Sequence, residues 1–150
     1  MKTFIITPAS SGPIIFFIVL TPVLLTMLGF SAYILFSAHS AKFEITDSGL
    51  NIRNTIYGRF IPKENIDLNN ARIVNLNTQT DLQPKWRTNG VGLPGYNTGW
   101  FKLKNGEKTL LFVTDRGKVV YIPTTLGYPI LLSTGNPDEM VVALQTLCPN

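Results

Sequence analysis

The residues best suited to binding chemistry are concentrated between positions 87 and 108. A glycine-rich run, Arg87-Thr-Asn-Gly-Val-Gly-Leu-Pro-Gly-Tyr-Asn-Thr-Gly-Trp-Phe101, combines a cation with an amide and large aromatic groups, and lysines follow it closely. Such a combination can hold a peptide, a glycan or a protein surface. The candidate binding residues are therefore Arg87, Asn89, Gly90, Tyr96, Trp100, Lys102, Lys104 and Lys108.

Structural roles compete with this interpretation. Large aromatics more often fill a core, and glycines supply backbone angles that other residues avoid. Because strand side chains alternate, Trp100 and Phe101 should face opposite sides, and only one of them can fill the core face of a simple sheet. Lys102 and Lys104 should share one strand face, with Lys108 across the hairpin, so the three lysines form the best local basic patch. Each could contribute about 1 kcal/mol against anionic lipid, or simply keep an edge strand soluble.

The sequence does not favour catalysis, and it predicts no catalytic residue, metal site or cofactor. His39 is the only histidine and Cys148 the only cysteine, so neither a disulfide within the chain nor a Cys-His or Ser-His arrangement is suggested. Three of the glycines resemble a phosphate loop but lack its Gly-Lys-Ser/Thr ending. The net charge of +4 is dispersed rather than gathered in a stripe, so a nucleic-acid partner is not expected.

The chain carries no charged side chain from Pro13 to Phe36. These 24 residues would form a helix of about 36 Å, long enough to cross a bilayer core of about 30 Å. Pro22 divides the run into pieces too short to cross alone, which favours one kinked span over a hairpin. The flanking basic residues favour a cytoplasmic position for the following domain, and the bilayer is the first expected partner.

Two alternatives to a single retained span stay open. The segment Ala38-His39-Ser40 offers small residues for cleavage of a signal peptide, although the apolar run exceeds a typical signal core. In addition, Phe4–Thr7 is prone to form a strand. If that strand joined the sheet of the later domain, the apolar run would have to return to its starting side.

Residues 42–150 form the predicted globular domain, preceded by segments 1–12 and 13–36. Alternating patterns with turn signals indicate about seven strands in a mostly antiparallel arrangement, including a hairpin around Asp47-Ser48-Gly49 and another around Asn105-Gly106, where a two-residue primed turn is expected. The segment 77–96 lacks periodicity and is predicted to be a long loop. Near the end, Asn136 and Pro137 indicate the start of a helix. Its apolar stripe is Met140, Val141, Leu144 and Leu147.

This layout resembles the pleckstrin-homology-like (PH-like) fold, an antiparallel barrel or sandwich with a C-terminal helix. The run from Arg87 to Phe101, the strand Val120–Thr124 and the segment Leu131–Ser133 before Asn136 look like the bacterial PH-domain families, in particular their membrane-anchored members. The resemblance covers roughly residues 43–147. It implies no activity, because those families are largely without assigned activity and the fold hosts many functions.

The expected function is a membrane-anchored PH-like interaction module that binds a membrane-associated protein or assembles with itself. The alternative is a sensor of a ligand or an anionic lipid head group. That sensor would use the predicted 84–101 loop and the lysine patch.

Overall fold

The computed structural model describes residues 12–147, without the side chains of residues 34–40. The chain separates into two units between His39 and Ser40, and each unit is described by itself. Three sequence features lie outside the described parts: the strand-prone Phe4–Thr7, the cysteine at position 148 and the side chain of His39.

The first unit contains one helix, α1, which spans Gly12–Ser40. The helix passes through Pro22 without a break, so the apolar run is a single segment rather than two spans joined by a turn. Its 22-residue stretch Gly12–Tyr33 is long and apolar enough to cross a membrane, although a signal sequence has the same features. Thr21 and Ser31 donate their hydroxyls to carbonyls four residues earlier, Phe17 O at 2.7 Å and Met27 O at 2.8 Å. These polar groups are therefore satisfied inside the helix, as a lipid environment requires.

The second unit begins with a three-stranded antiparallel sheet in the order β1-β2-β3. Its strands are β1 (Lys42–Thr46), β2 (Gly49–Arg53) and β3 (Arg59–Pro62). The predicted hairpin at Asp47-Ser48-Gly49 is confirmed, with Thr46 opposite Gly49. Two short 3₁₀ turns, Lys63–Asn65 and Leu68–Asn70, lead to the next strand.

The larger sheet has six strands in the order β4-β8-β9-β7-β6-β5. They are β4 (Arg72–Val74), β5 (Pro84–Leu93), β6 (Tyr96–Leu103), β7 (Lys108–Val113), β8 (Val119–Ile122) and β9 (Ile130–Leu132). The described residues thus form nine strands rather than about seven. One pairing, β7 with β9, is parallel, and the other strand pairings are antiparallel, as the expected mostly antiparallel fold allows.

Helix α2 (Pro137–Thr146) ends the described fold, with Pro137 at its start as predicted. Met140 and Leu144 are buried, and Val141 and Leu147 pack at the edge of the same cluster, which confirms the apolar stripe. The expected cap differs. The Asn136 side chain donates to Glu139 Oε2 at 3.1 Å rather than accepting from the backbone of the first turn.

Two hydrophobic clusters lie on opposite faces of the six-stranded sheet. The first joins both sheets and α2, and it includes Leu50, Ile61, Leu110, Phe112, Ile130, Leu132 and Leu144. The second includes Val74, Leu76, Leu82, Phe101, Leu103, Leu111, Val113 and Leu131. Successive residues of β7 alternate between the two clusters, so this strand is buried on both faces.

The hairpin between β6 and β7 is confirmed, but its predicted turn is wrong. Gly106 N–H donates to Leu103 O at 3.0 Å and Leu103 N–H donates to Glu107 O at 2.9 Å, which leaves a three-residue loop. Gly106 has φ 93°, while Asn105 is not among the described residues with positive φ. Both primed two-residue turns need a positive φ at their first position, which Asn105 lacks, so the connection is instead a turn with glycine at the bulge position.

Candidate functional site

The segment predicted as a loop is the first strand of a hairpin. Strand β5 covers Pro84–Leu93 and pairs with β6 through a short turn at Pro94 and Gly95, so the proposed 84–101 loop does not exist. The strand escaped prediction because the side chains of residues 85–89 are all exposed, which leaves no alternation of apolar and polar residues. As the outer strand of its sheet, β5 has a free edge.

Two register shifts in β5 distribute the candidate residues between both faces of the sheet. The shifts fall between Pro84 and Trp86 and between Arg87 and Asn89. As a result Arg87 lies opposite Phe101, while Asn89 lies opposite Trp100. Phe101 and Trp100 are successive residues and face opposite sides, so Arg87 and Asn89 do too, despite their spacing of two.

On the face of Phe101, β5 and β6 border an open groove of about 820 Å³. Its lining combines basic, apolar and glycine residues: Pro84, Lys85, Trp86, Arg87, Gly92, Leu93, Pro94, Gly95, Asn97, Phe101 and Arg116. Three of these residues are cations and none is acidic. The side chain of Trp86 is 58% exposed, whereas Phe101 is buried. We call this surface the basic groove.

The cations of the basic groove form no ion pair with a carboxylate in the part of the chain that the structure describes. Across the described residues the one ion pair joins Arg53 to Glu44, with Nε and Oε2 3.1 Å apart. Lys85, Arg87 and Arg116 therefore leave a local excess of positive charge beside apolar surface. Such a surface is complementary to an anionic ligand or to an acidic stretch of a protein.

On the opposite face, Trp100 is the centre of a cation and aromatic cluster. Its ring meets Tyr128 edge-to-face at 4.8 Å and 79°. Arg59 Cζ lies 4.8 Å and Lys108 Nζ 4.5 Å from the centre of a Trp100 ring. Arg59 also donates to the Tyr128 hydroxyl at 3.2 Å. Because Arg59 belongs to the three-stranded sheet, these contacts tie the two sheets together, and the role of Trp100 is largely structural.

Asn89 and Gly90 also belong to a packing arrangement on this face. The Tyr57 hydroxyl and Asn89 Oδ1 are hydrogen bonded at 3.1 Å. Gly90 and Gly99 lie directly opposite each other, and a Cβ at Gly90 would overlap the Thr98 carbonyl oxygen. The close approach of the two strands requires glycine here.

The predicted lysine patch is only partly assembled. Lys102 and Lys108 are directly opposite each other on β6 and β7. Lys104 does not share a strand face with Lys102 as expected, because β6 ends at Leu103. Instead, Lys104 Nζ donates to Gln83 Oε1 at 2.7 Å.

Two tyrosines have perturbed acidity. Burial raises the pKa of Tyr96 above its ordinary value. A hydrogen bond with the Thr98 side chain lowers this pKa in part, and the nearby Tyr57 raises it slightly. Burial likewise raises the pKa of Tyr121, assisted by the charge of Glu107 and opposed by Arg72. Both phenols are therefore neutral near pH 7 and act as hydrogen-bonding and packing groups.

Several residues of the two surfaces were missed by sequence reasoning. The sequence reasoning did not select three groove residues of the β5–β6 hairpin, Lys85, Trp86 and Asn97. They could have been included because they lie in or beside the segment that was predicted as a long loop. Arg116 reaches the basic groove from the turn between β7 and β8. Its position depends on strand order, which no local pattern reveals. Among the described side chains of residues 12–33 and 41–147, no three of His, Cys, Asp or Glu cluster as metal ligands would.

Comparison with protein families matches residues 41–147 to a family described as Bacterial PH domain. The chain belongs to this family. The PH-like fold expected from the glycine-rich run is thereby confirmed, with two sheets and a C-terminal helix. Comparisons with curated proteins and with solved structures find no match to the chain. PH domains are generally interaction modules rather than enzymes, so the family directs attention to surfaces that could bind a partner.

Proposed function

We propose that this protein is a membrane-anchored, non-catalytic interaction module whose basic groove binds an acidic segment of a membrane-associated protein. The observation that carries the proposal is the composition of the basic groove: three cations that form no ion pair with the described carboxylates, apolar surface and no acidic residue in the lining. In this proposal helix α1 supplies the anchor, and the flanking basic residues favour the cytoplasmic side for the PH-like domain.

A protein partner is favoured over a small molecule by the shape of the basic groove. The groove is open and follows β5, a ten-residue strand at the edge of its sheet. Small ligands are usually held in concave sites that cover most of their surface. An extended, acidic chain segment could instead follow the strand and place apolar side chains against Trp86 and Leu93.

The test is photo-cross-linking of the full-length protein in its native membrane, with the cross-linker at position 86. We expect a protein adduct that disappears in the variant Lys85→Glu/Arg87→Glu. The matched control is Lys102→Glu/Lys108→Glu, which makes the same change of charge on the opposite face and should keep the adduct. Equal adduct yields in the two variants, or adducts to lipid alone, would contradict the proposal.

A second candidate is the recognition of anionic lipid head groups by the opposite face. It is favoured by Lys102 and Lys108, which lie side by side and form no ion pair with any carboxylate of the described residues. Two such lysines would attract an anionic membrane surface only weakly, with about 1 kcal/mol each. Binding of the domain to anionic vesicles that is lost in Lys102→Glu/Lys108→Glu but kept in Lys85→Glu/Arg87→Glu would establish this function instead.

A further inference from the structure

The free edge of β5 has an irregular half and a regular half. Pro84, Lys85, Arg87 and both register shifts come before residue 89. Proline, charge and bulges are the features that keep an edge strand from pairing with another chain. Over residues 89–93 the pairing with β6 is unbroken, and this part contains neither a charged residue nor a proline. The second half of the edge therefore lacks the protection that the first half has.

The hydrogen bonds of β6 show which backbone groups lie on that edge. Leu103 N–H donates to Glu107 O at 2.9 Å across the β6–β7 hairpin. Because the backbone groups of an antiparallel strand alternate between its two neighbours, the odd-numbered residues of β6 bond to β7 and the even-numbered residues bond to β5. Gly90 and Gly92 lie opposite odd-numbered residues of β6. Their N–H and C=O groups therefore point away from β6, towards the free edge.

The two glycines receive no hydrogen bond at this edge from the rest of the described chain. The hydrogen bonds of the described turns, loops and side chains do not reach the backbone of residues 89–93. At Gly92 the φ is not positive and an added Cβ would make only ordinary contacts, so neither conformation nor packing within the chain requires glycine there. The missing side chain does allow another backbone to come close, which is one role of glycine in a strand.

We propose that the acidic segment of the partner binds as an added strand, antiparallel to β5 and hydrogen bonded to the backbone of Gly90 and Gly92. The antiparallel direction continues the β5–β6–β7 part of the sheet and gives the more stable type of strand pair. This inference rests on the proposed function and specifies how the surface beside the basic groove holds its partner.

The antiparallel arrangement determines which residues of the segment carry the carboxylates. Residues directly opposite each other in an antiparallel pair point to the same face. Gly90 and Gly92 are on the face of Phe101, where Lys85 and Arg87 border the basic groove. The segment residues that bond to the two glycines therefore direct their side chains to the side of the cations. The pattern expected is an acidic residue at every second position, with apolar residues between them.

The test measures binding of a synthetic peptide to the full-length chain in zwitterionic nanodiscs. The peptide has ten residues, the length of β5, and alternates glutamate with valine. Methylating the backbone nitrogens of its glutamates removes the donors that face β5, whereas methylating those of its valines changes only the outer edge of the added strand. We expect the first peptide to bind roughly tenfold more weakly or worse, and the second to bind like the unmodified peptide.

The two methylated peptides are a matched pair, because they have the same composition, charge and number of methyl groups. Equal affinities of the two would overturn the added strand. A loss of affinity confined to the valine-methylated peptide would also overturn it, since that result is expected for a parallel strand.

The variant Lys85→Glu/Arg87→Glu separates this inference from the proposed function. If the unmodified peptide lost affinity in that variant while both methylated peptides bound the wild type equally, the proposed function would survive and the added strand would not. An unmodified peptide that bound the wild type and the variant equally, or bound neither, would overturn both.

A second copy of the chain is the other strand that could occupy this edge. Disulfide cross-linking through Val91→Cys, in a Cys148→Ser background with two copies per nanodisc, tests for it. We expect saturating acidic peptide to prevent disulfide-linked dimers, because the peptide covers the edge. Dimers that form to the same extent with and without the peptide would assign the edge to a second copy and overturn the proposal.

Discussion

The pair Gly90 and Gly99 allows a sharp prediction about the stability of the hairpin. Gly99 has φ 105°, and a Cβ there would lie 2.6 Å from Asn89 O, 2.7 Å from Gly90 Cα and 2.9 Å from Tyr57 Cε2. Two of these neighbours are backbone atoms that cannot turn aside. The unfavourable φ costs about 1 to 3 kcal/mol, and overpacking adds about 1 to 3 kcal/mol. Gly99→Ala should therefore lower the free energy of unfolding by about 2 to 6 kcal/mol.

Two other glycines of the same hairpin separate these contributions. Gly95 has φ 74° with nothing within 4 Å of the added Cβ, so Gly95→Ala should cost only the backbone term, about 1 to 3 kcal/mol. Gly92 has neither a positive φ nor a severe contact, so Gly92→Ala should be neutral or stabilising by up to about 1 kcal/mol. The expected order of stability is Gly92→Ala, then Gly95→Ala, then Gly99→Ala.

The assay is urea unfolding of residues 41–150, a fragment that contains both hydrophobic clusters, followed by tryptophan fluorescence. With a denaturant slope of about 1 to 3 kcal/mol/M, the Gly99→Ala midpoint should fall by roughly 1 M or more. If Gly99→Ala cost no more than Gly95→Ala, the close approach of Tyr57 and β5 to Gly99 would be refuted. An altered slope would signal a change in the folded or unfolded ensemble rather than local crowding.

Two further predictions concern the face of Trp100 and the tyrosines. A double-mutant cycle of Arg59→Met and Trp100→Leu, measured by urea unfolding, should show a coupling free energy of about 0.5 to 1 kcal/mol or more. The reason is that Arg59 Cζ lies 4.8 Å from the centre of a Trp100 ring. Strictly additive effects of the two substitutions would contradict this contact. The pKa values of Tyr96 and Tyr121 are raised in the folded state. The two neutral phenols therefore contribute to the free energy of unfolding below about pH 10, and this contribution is lost as the pH rises through their folded-state pKa values. Tyr121→Phe should therefore make the stability fall less steeply above pH 10 in alkaline unfolding curves, and an unchanged slope would argue against burial as the cause.

Local sequence signals predicted those parts of the fold that depend on neighbouring residues. The first hairpin, the hairpin at Asn105-Gly106 and helix α2 each carry a turn or cap signal beside a periodic pattern, and all three are present. The exact turn at Gly106 could not be predicted, because Asn-Gly fits both a primed turn and a turn followed by a glycine bulge.

The remainder depended on contacts between distant residues. Trp100 and Phe101 were expected to face opposite sides with only one of them on a core face, but both faces of the six-stranded sheet are covered, so both aromatics pack. Similarly, β8 follows β7 in the chain and is antiparallel to β9, and β9 then lies in the sheet between β8 and β7, where it pairs in parallel with β7. Strand order of this kind is set by the whole core rather than by local patterns.

The composition of the basic groove depends on the irregularity of β5. In a regular strand, Arg87 and Asn89 would face the same side, and Asn89 could not reach Tyr57 while Arg87 lined the groove. The register shift between them inserts Thr88, whose hydroxyl donates to Trp100 O at 3.0 Å and thereby ties the irregular position to β6. A single strand can in this way supply packing residues to one face and cations to the other. The positive charge of the basic groove therefore depends on the bulge as well as on the basic residues. Residue spacing alone placed Arg87 and Asn89 in one candidate site, whereas the bulge puts them on opposite faces of the sheet.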